Sequence, residues 1–205
     1  MATTVDCYLS LNSPWTYLGS GRLMAMRRRL GFAVAVKPAK FGEVFQATGG
    51  LPVHKRPPAR QAYRLVELKR WSTHLGIPIN LQPSHFPGDE TAGVRLVIAA
   101  ALTGQDALAL SSEIGRALWE REESIADDAS LAAAAERAGV DLARLRREAP
   151  AAVDLDAAWE NNTKEAIARS VFGAPSYVLP TGEIFWGQDR LEFLERAIVT
   201  GSGAG

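Results

Sequence analysis

Asn12-Ser-Pro-Trp-Thr-Tyr-Leu-Gly19 follows directly on an apolar run, Val5–Leu11. Ser13 and Thr16 stand at the i, i+3 spacing of a Cys-x-x-Cys redox turn that opens a helix, with neither sulfur present. Pro14 suits the first position of a helix, where its missing N–H costs nothing, and Ser13 just before it suits the N-cap. The same geometry favours an anion, because the free N–H groups and the dipole of a helix start contribute about 0.3–1 kcal/mol at an exposed site. A hydroxyl there can donate to a thiolate. A free thiol with pKa near ~8.5 is mostly protonated at neutral pH, so lowering that value by about one or two units supplies a nucleophile. Ser13 therefore reads as a helix cap alone, or as a cap that also holds an anion.

Positioning such a turn requires a strand before it and a helix after it. Val5, Cys7 and Leu9 alternate against Asp6, Tyr8 and Ser10, which predicts a strand. Tyr17, Leu18, Leu23, Met26 and Leu30 supply the apolar face of the helix, and Gly31 stops it. Phe32–Pro38 reads as a second strand, so residues from about 3 to 38 form a βαβ unit with a parallel strand pair. Phe41–Gln61 mixes glycine and proline with apolar fragments and reads as a loop holding a short helix. From about Pro58 to residue 170 the pattern is helical. Leu65, Leu68, Trp71 and Leu75 share a face, Leu110, Ile114 and Leu118 another, and a third helix runs from Asp127 and Asp128 to Gly139. Beyond it, Pro175–Pro180 and Glu183–Gly187 are short strands joined by a hairpin at Thr181-Gly182, and a last helix begins where Asp189 and Glu192 have capping-box spacing. The closing Gly201–Gly205 reads as a flexible tail.

The chain has 205 residues, enough for one well-cored domain or a small domain carrying an insertion, with 23 basic and 23 acidic residues. That balance favours neither nucleic acid nor an anionic membrane as partner. No run of about 20 apolar residues predicts a membrane span and no leader pattern opens the sequence, which points to a cytoplasmic location. Cys7 is the single cysteine, so no intrachain disulfide or cysteine metal cluster can form, and its alternation with Val5 and Leu9 marks it as small core filling. The three histidines, His54, His74 and His85, lack metal-ligand spacing, so no metal site is expected.

The element order βαβ, helices, ββα, with Ser-Pro-x-x after the first strand and Gly173-Ala-Pro175 before the third, describes a split α/β thioredoxin-like fold of the DsbA and kappa-transferase type. Residues 1–38 and 171–205 would form the thioredoxin-like part, and 39–170 a large all-helical insertion. Four segments carry a more specific resemblance: Asn12–Gly19, Arg70-Trp71 with Gly76–Pro78, Val171–Pro175, and Phe185–Leu191. In that order, and across nearly the whole chain, they resemble the 2-hydroxychromene-2-carboxylate isomerases, which sit beside the kappa-class glutathione transferases and share ancestry with DsbA-type oxidoreductases.

The resemblance implies the following roles. Ser13, with Pro14 behind it, holds the sulfur of glutathione, so the cofactor and not the protein supplies the thiol. Pro175 is cis and leaves the backbone of Ala174 to pair with the cysteinyl unit of glutathione like an added strand. Gly187 and Gln188 offer N–H groups to the γ-glutamyl carboxylate and Asp189 pairs with its ammonium, while the same Asp189 is read from spacing alone as a helix cap. Trp186 is a wall of the site or a core tryptophan. In the loop where the family contacts its aromatic keto-acid substrate, commonly through Asn-Arg, this chain has His54-Lys55, a departure. Lys55 could meet a carboxylate as a point charge, or the loop is simply solvated. His85 and Phe86 lie near the same cleft by the resemblance. The implied activity interconverts 2-hydroxychromene-2-carboxylate and trans-o-hydroxybenzylidenepyruvate in naphthalene-type catabolism, in a homodimer. The alternatives are a kappa-class transferase conjugating electrophiles and a redox-inactive thioredoxin-fold binding module.

Overall fold

The computed structural model describes residues 3–202. Strand β1 (Thr4–Leu9) leads into helix α1 (Pro14–Leu30), which returns the chain to β2 (Ala33–Pro38). β1 and β2 pair in parallel, with Thr4 opposite Ala33 and Leu9 opposite Pro38. Gly31 ends α1 in the left-handed region at φ 72°, and its N–H returns to the Arg27 carbonyl at 2.9 Å, so the sharp reversal into β2 depends on a residue without a Cβ. β3 (Ser176–Val178) and β4 (Ile184–Trp186) form the expected hairpin and complete a mixed sheet in the order β2-β1-β3-β4, with β3 antiparallel to both neighbours. A 3₁₀ turn at Gln188–Arg190 then enters α9 (Leu191–Ser202).

Seven helices are inserted between β2 and β3: α2 (Phe41–Thr48), α3 (Pro58–Leu75), α4 (Thr91–Leu102), α5 (Ala107–Trp119), α6 (Asp128–Arg137), α7 (Leu142–Glu148) and α8 (Ala152–Ala168). The chain thus has a thioredoxin-like α/β fold with a helical insertion. One face of the sheet presents Val5, Cys7 and Leu9 to Leu18 and Leu23 of α1 and to Leu110, Ile114 and Leu118 of α5, all nearly or fully buried in one continuous core. Each such leucine contributes about 1.5–3 kcal/mol of burial, which holds the insertion against the sheet and α1. The opposite face carries Tyr8 and Val178, covered by Phe41 and Val44 of α2 and Ala166 of α8. Among the described residues, no helix is long and apolar enough to cross a membrane.

Two expectations need correction. Asp189 does not cap the last helix. It lies inside the 3₁₀ turn, no side chain caps that turn, and its carboxylate takes Arg190 Nη1 at 2.7 Å instead. The physical cause is Gly187, which at φ 99° takes the cap position two residues before the one the spacing rule assigns. Of the expected flexible tail, Gly201 and Ser202 belong to α9, and residues 203–205 lie outside the described part.

Candidate active site

The Ser13 turn is built as its residue types dictate. The Ser13 backbone is extended at φ −83° and ψ 118°, its Oγ accepts the Thr16 N–H at 3.2 Å, and Pro14 opens α1. The Ser13 hydroxyl donates in turn to the Ala174 carbonyl at 3.2 Å. That bond joins the helix start to the Ala174–Pro175 peptide, which is cis. An O–H···O contact of this length is beyond the usual ~2.5–3.0 Å range, so the hydroxyl hydrogen is weakly held and can be redirected. Pro175 O accepts the Gly187 N–H at 2.9 Å, which brings the 187–189 turn to the same place. Ser13, Pro14, Ala174, Pro175 and Gly187 therefore form one connected cluster at the N-terminal end of α1, and Asp189 follows Gly187 two residues along the chain with its carboxylate on Arg190. The N–H groups that open the 188–190 turn have no partner within it, as at any helix start.

Trp186 stands beside this cluster and is not a core residue. It is 51% exposed and its ring meets that of Phe172, 44% exposed, at 4.8 Å between centroids. Gly173 runs so close beneath the Trp186 indole that a Cβ there would overlap its Nε1, so this glycine lets the ring lie down on the loop leading to Ala174. Gln188 is placed differently from its expected role. Its side chain is 1% exposed and turned under α1, where Arg22 Nη1 donates to both its backbone carbonyl at 2.9 Å and its Oε1 at 2.8 Å. Its Nε2 is buried with no partner among the described residues. The tuck requires Gly19, since a Cβ there would sit 2.8 Å from Tyr177 Oη and 3.0 Å from Gln188 Cβ.

The candidate substrate residues divide. Phe86 lies half-buried in a ring cluster, 4.9 Å from Trp119, and the loop that follows it reaches the Ser13 turn. Asn12 Nδ2 donates to the Gly88 carbonyl and Asn12 Oδ1 accepts the Gly88 N–H, both at 2.9 Å. His85 points to solvent in that same loop. His54 and Lys55 form an exposed 3₁₀ turn, and no side-chain hydrogen bond, ion pair or ring contact joins them to the Ser13 cluster among the described residues. His74 stacks edge-on against Trp71 at 5.5 Å.

Sequence reasoning missed Arg22, Arg64 and Glu90. Glu90 accepts Ser10 Oγ–H at 2.8 Å and the Asn12 N–H at 3.1 Å, directly behind the Ser13 turn. Burial raises its pKa, and those donors offset the rise only in part. Arg64, on α3, lies over Phe86 and Trp119, with its guanidinium carbon 5.4 and 5.8 Å from the two ring centroids. None of the three has a local signal, because a helical arginine or a glutamate before a helix is ordinary on a surface.

Chemically, the cluster has a hydroxyl, a helix start and the half-buried Ala174 backbone, with the Asp189 carboxylate nearby in the chain, but no sulfur of its own. Cys7 is 2% exposed, and burial, followed by the nearby Asp6 charge, pushes its thiol up to about 12. It stays protonated and inert. Disulfide exchange by the turn itself is impossible.

The DsbA-like thioredoxin domain matches residues 4–199. A 2-hydroxychromene-2-carboxylate isomerase of Pseudomonas sp. strain C18 is 30% identical over 95% of this chain and 89% of its own. Glutathione S-transferase kappa 1 of Homo sapiens is 26% identical over 93% of this chain and 88% of its own. Among solved structures, a 2-hydroxychromene-2-carboxylate isomerase superposes with a TM-score of 0.72 at 25% identity, covering 96% of this chain and 95% of that one.

Proposed function

The chain belongs to the DsbA-like thioredoxin-domain family, and from that premise we propose that it is a glutathione-dependent isomerase of aromatic keto acids, of the 2-hydroxychromene-2-carboxylate type. One observation carries the reading. The Ser13 hydroxyl occupies the helix start where a redox protein of this fold has its thiol, and faces the Ala174 carbonyl across the cis peptide. Bound there, glutathione supplies a thiol that adds reversibly to an activated double bond and so frees rotation about it.

The protein's own residues prepare that chemistry. Ser13 turns its weakly held hydroxyl hydrogen from Ala174 to the sulfur and, with the α1 dipole, favours the thiolate over the thiol. The N–H and C=O of Ala174 receive the cysteinyl backbone as an added strand would. The N–H groups of Gln188 and Asp189 are offered to the γ-glutamyl carboxylate, the Gly187 N–H being held by the Pro175 carbonyl, and Asp189 takes its ammonium. Arg22 holds that turn at a fixed distance from Ser13 by gripping Gln188. The isomerase relative, matched along almost the full length of both chains, supports the class of reaction.

The kappa-class relative supports a second reading, in which the same site conjugates glutathione to electrophiles and releases the adduct. Both readings need glutathione. A ligand bound only by the folded state raises stability by about 2.7 kcal/mol at a hundredfold excess over its Kd. Millimolar glutathione is expected to raise the melting temperature and to give a saturable heat in calorimetry. The absence of both would refute the two enzyme readings together and leave a binding module.

A further inference from the structure

The ring cluster behind the Ser13 turn holds more donors than acceptors. Arg64 Nη2 is buried and has no hydrogen-bond partner among the described residues, and Trp119 Nε1, under the same guanidinium, has none either. Among the described residues Arg64 makes no ion pair, whereas Arg27, Arg95, Arg121 and Arg169 each hold a carboxylate. The charge felt from nearby is Arg56, which has the same sign, so that desolvation and then repulsion bring Arg64 down to about 10. It is still a cation at neutral pH. A desolvated guanidinium lying over two adjoining aromatic rings, without a counter-ion, is the chemistry of a receptor for a planar anion.

Its place relative to the site is fixed by two braces. The Phe86–Gly88 loop, whose aromatic ring lies under Arg64, is pinned to Asn12 through both polar groups of Gly88. Tyr17, one turn into α1, donates to the Pro78 carbonyl and lies 3.3 Å from Oε2 of Glu120, the neighbour of Trp119. The Arg64 cluster therefore abuts the first turn of α1, on the side held by Asn12 and Tyr17.

We propose that Arg64 is the carboxylate anchor of the substrate: the guanidinium takes the carboxylate of an aryl 2-oxo acid or its cyclised form, and Phe86 supports the adjoining conjugated plane. This rests on the reading of the chain as an enzyme of aromatic keto acids. It moves the anchoring role from Lys55, which is exposed and offers a point charge, to a rigid fork that can hold both carboxylate oxygens.

The test compares trans-cinnamate with neutral cinnamamide, followed by tryptophan fluorescence, on the wild-type protein, Arg64→Met and Arg64→Lys. Glutathione calorimetry on the same proteins runs beside it. The wild type should prefer the carboxylate over the amide by about ten- to a hundredfold, as a charged hydrogen-bond pair implies. Arg64→Met should lose that preference, keep its glutathione affinity and stay folded, because the charge it removes has no carboxylate partner and methionine still covers the two rings. Arg64→Lys should recover part of the preference. The proposal is overturned if the wild type does not discriminate, if Arg64→Met still does, or if Arg64→Met unfolds and Arg64→Lys binds cinnamate as the wild type does. Loss of glutathione binding in Arg64→Met also overturns it, since Arg64 would then serve the cofactor. Failure of the wild type to bind glutathione refutes the enzyme reading, and is read in a separate experiment.

Discussion

Removing the Ser13 hydroxyl should separate its two tasks. Ser13→Ala deletes the 3.2 Å cap to the Thr16 N–H, which costs about 1 kcal/mol of stability. The 3.2 Å bond to Ala174 adds little, being longer than a strong O–H···O bond. The larger effect falls on the bound thiol. A hydrogen bond to a charged acceptor is worth about 1.5–3 kcal/mol, and one pKa unit is about 1.4 kcal/mol, so the thiolate of bound glutathione should become harder to form by roughly one to two units. The N–H groups and dipole of α1 remain in the variant and keep their smaller share, about 0.3–1 kcal/mol. A raised thiol pKa removes thiolate at neutral pH and restores it as pH rises past the new value. Turnover at neutral pH should therefore fall about ten- to a hundredfold, with the pH–rate profile displaced upward. Glutathione affinity measured well below both pKa values should hold. The assay is a titration of thiolate ultraviolet absorbance in the protein–glutathione complex, paired with the pH profile and a urea melt. Ser13→Thr, which retains cap and hydroxyl, serves as control. An unchanged thiol pKa and an unchanged neutral rate in a folded Ser13→Ala would refute the assignment.

Two further perturbations test what holds the Ser13 turn and the 187–189 turn in place. Arg22→Met leaves the Gln188 Oε1 and carbonyl without their shared cationic donor at a position 1% exposed, and should cost roughly 2–4 kcal/mol in urea denaturation and weaken glutathione binding; an unchanged midpoint would refute the clamp. Glu90 has a raised folded-state pKa, so between the ordinary carboxylate value and that raised value the folded chain holds a proton that the unfolded chain has released. Stability should fall as pH rises through this window, and Glu90→Gln should lack that fall, so the variant gains on the wild type as pH rises and the difference levels off above it. A denaturation series across mildly acidic to neutral pH checks this, and a difference independent of pH would contradict it.

The parts legible in the sequence were those written in local chemistry. Ser13-Pro14 announced a helix start, Gly31 its end, and the 3.6-residue spacing of Leu110, Ile114 and Leu118 a buried face, and each lies where its type requires. The resemblance of four short segments added the fold and the cis Ala174–Pro175 peptide, which no composition argument could have claimed. Legibility failed where long-range contacts or competing turn geometry decide. Asp189 and Glu192 have the spacing of a capping box, but Gly187 adopts a left-handed conformation that a spacing rule does not see. Arg22 and Gln188 lie 166 residues apart, so nothing near either announces the other. Arg64 was one arginine among many in a basic stretch, and only the placement of Phe86 and Trp119 against it sets it apart.

The central claim is that glutathione acts as a recycled cofactor in the isomerisation of an aromatic keto acid. The direct measurement follows the absorbance of trans-o-hydroxybenzylidenepyruvate with the protein, with and without glutathione, while free thiol is counted through many turnovers. The account predicts isomerisation that requires glutathione and leaves the thiol count constant. Isomerisation at the same rate without glutathione, or one thiol consumed per substrate converted, would contradict it.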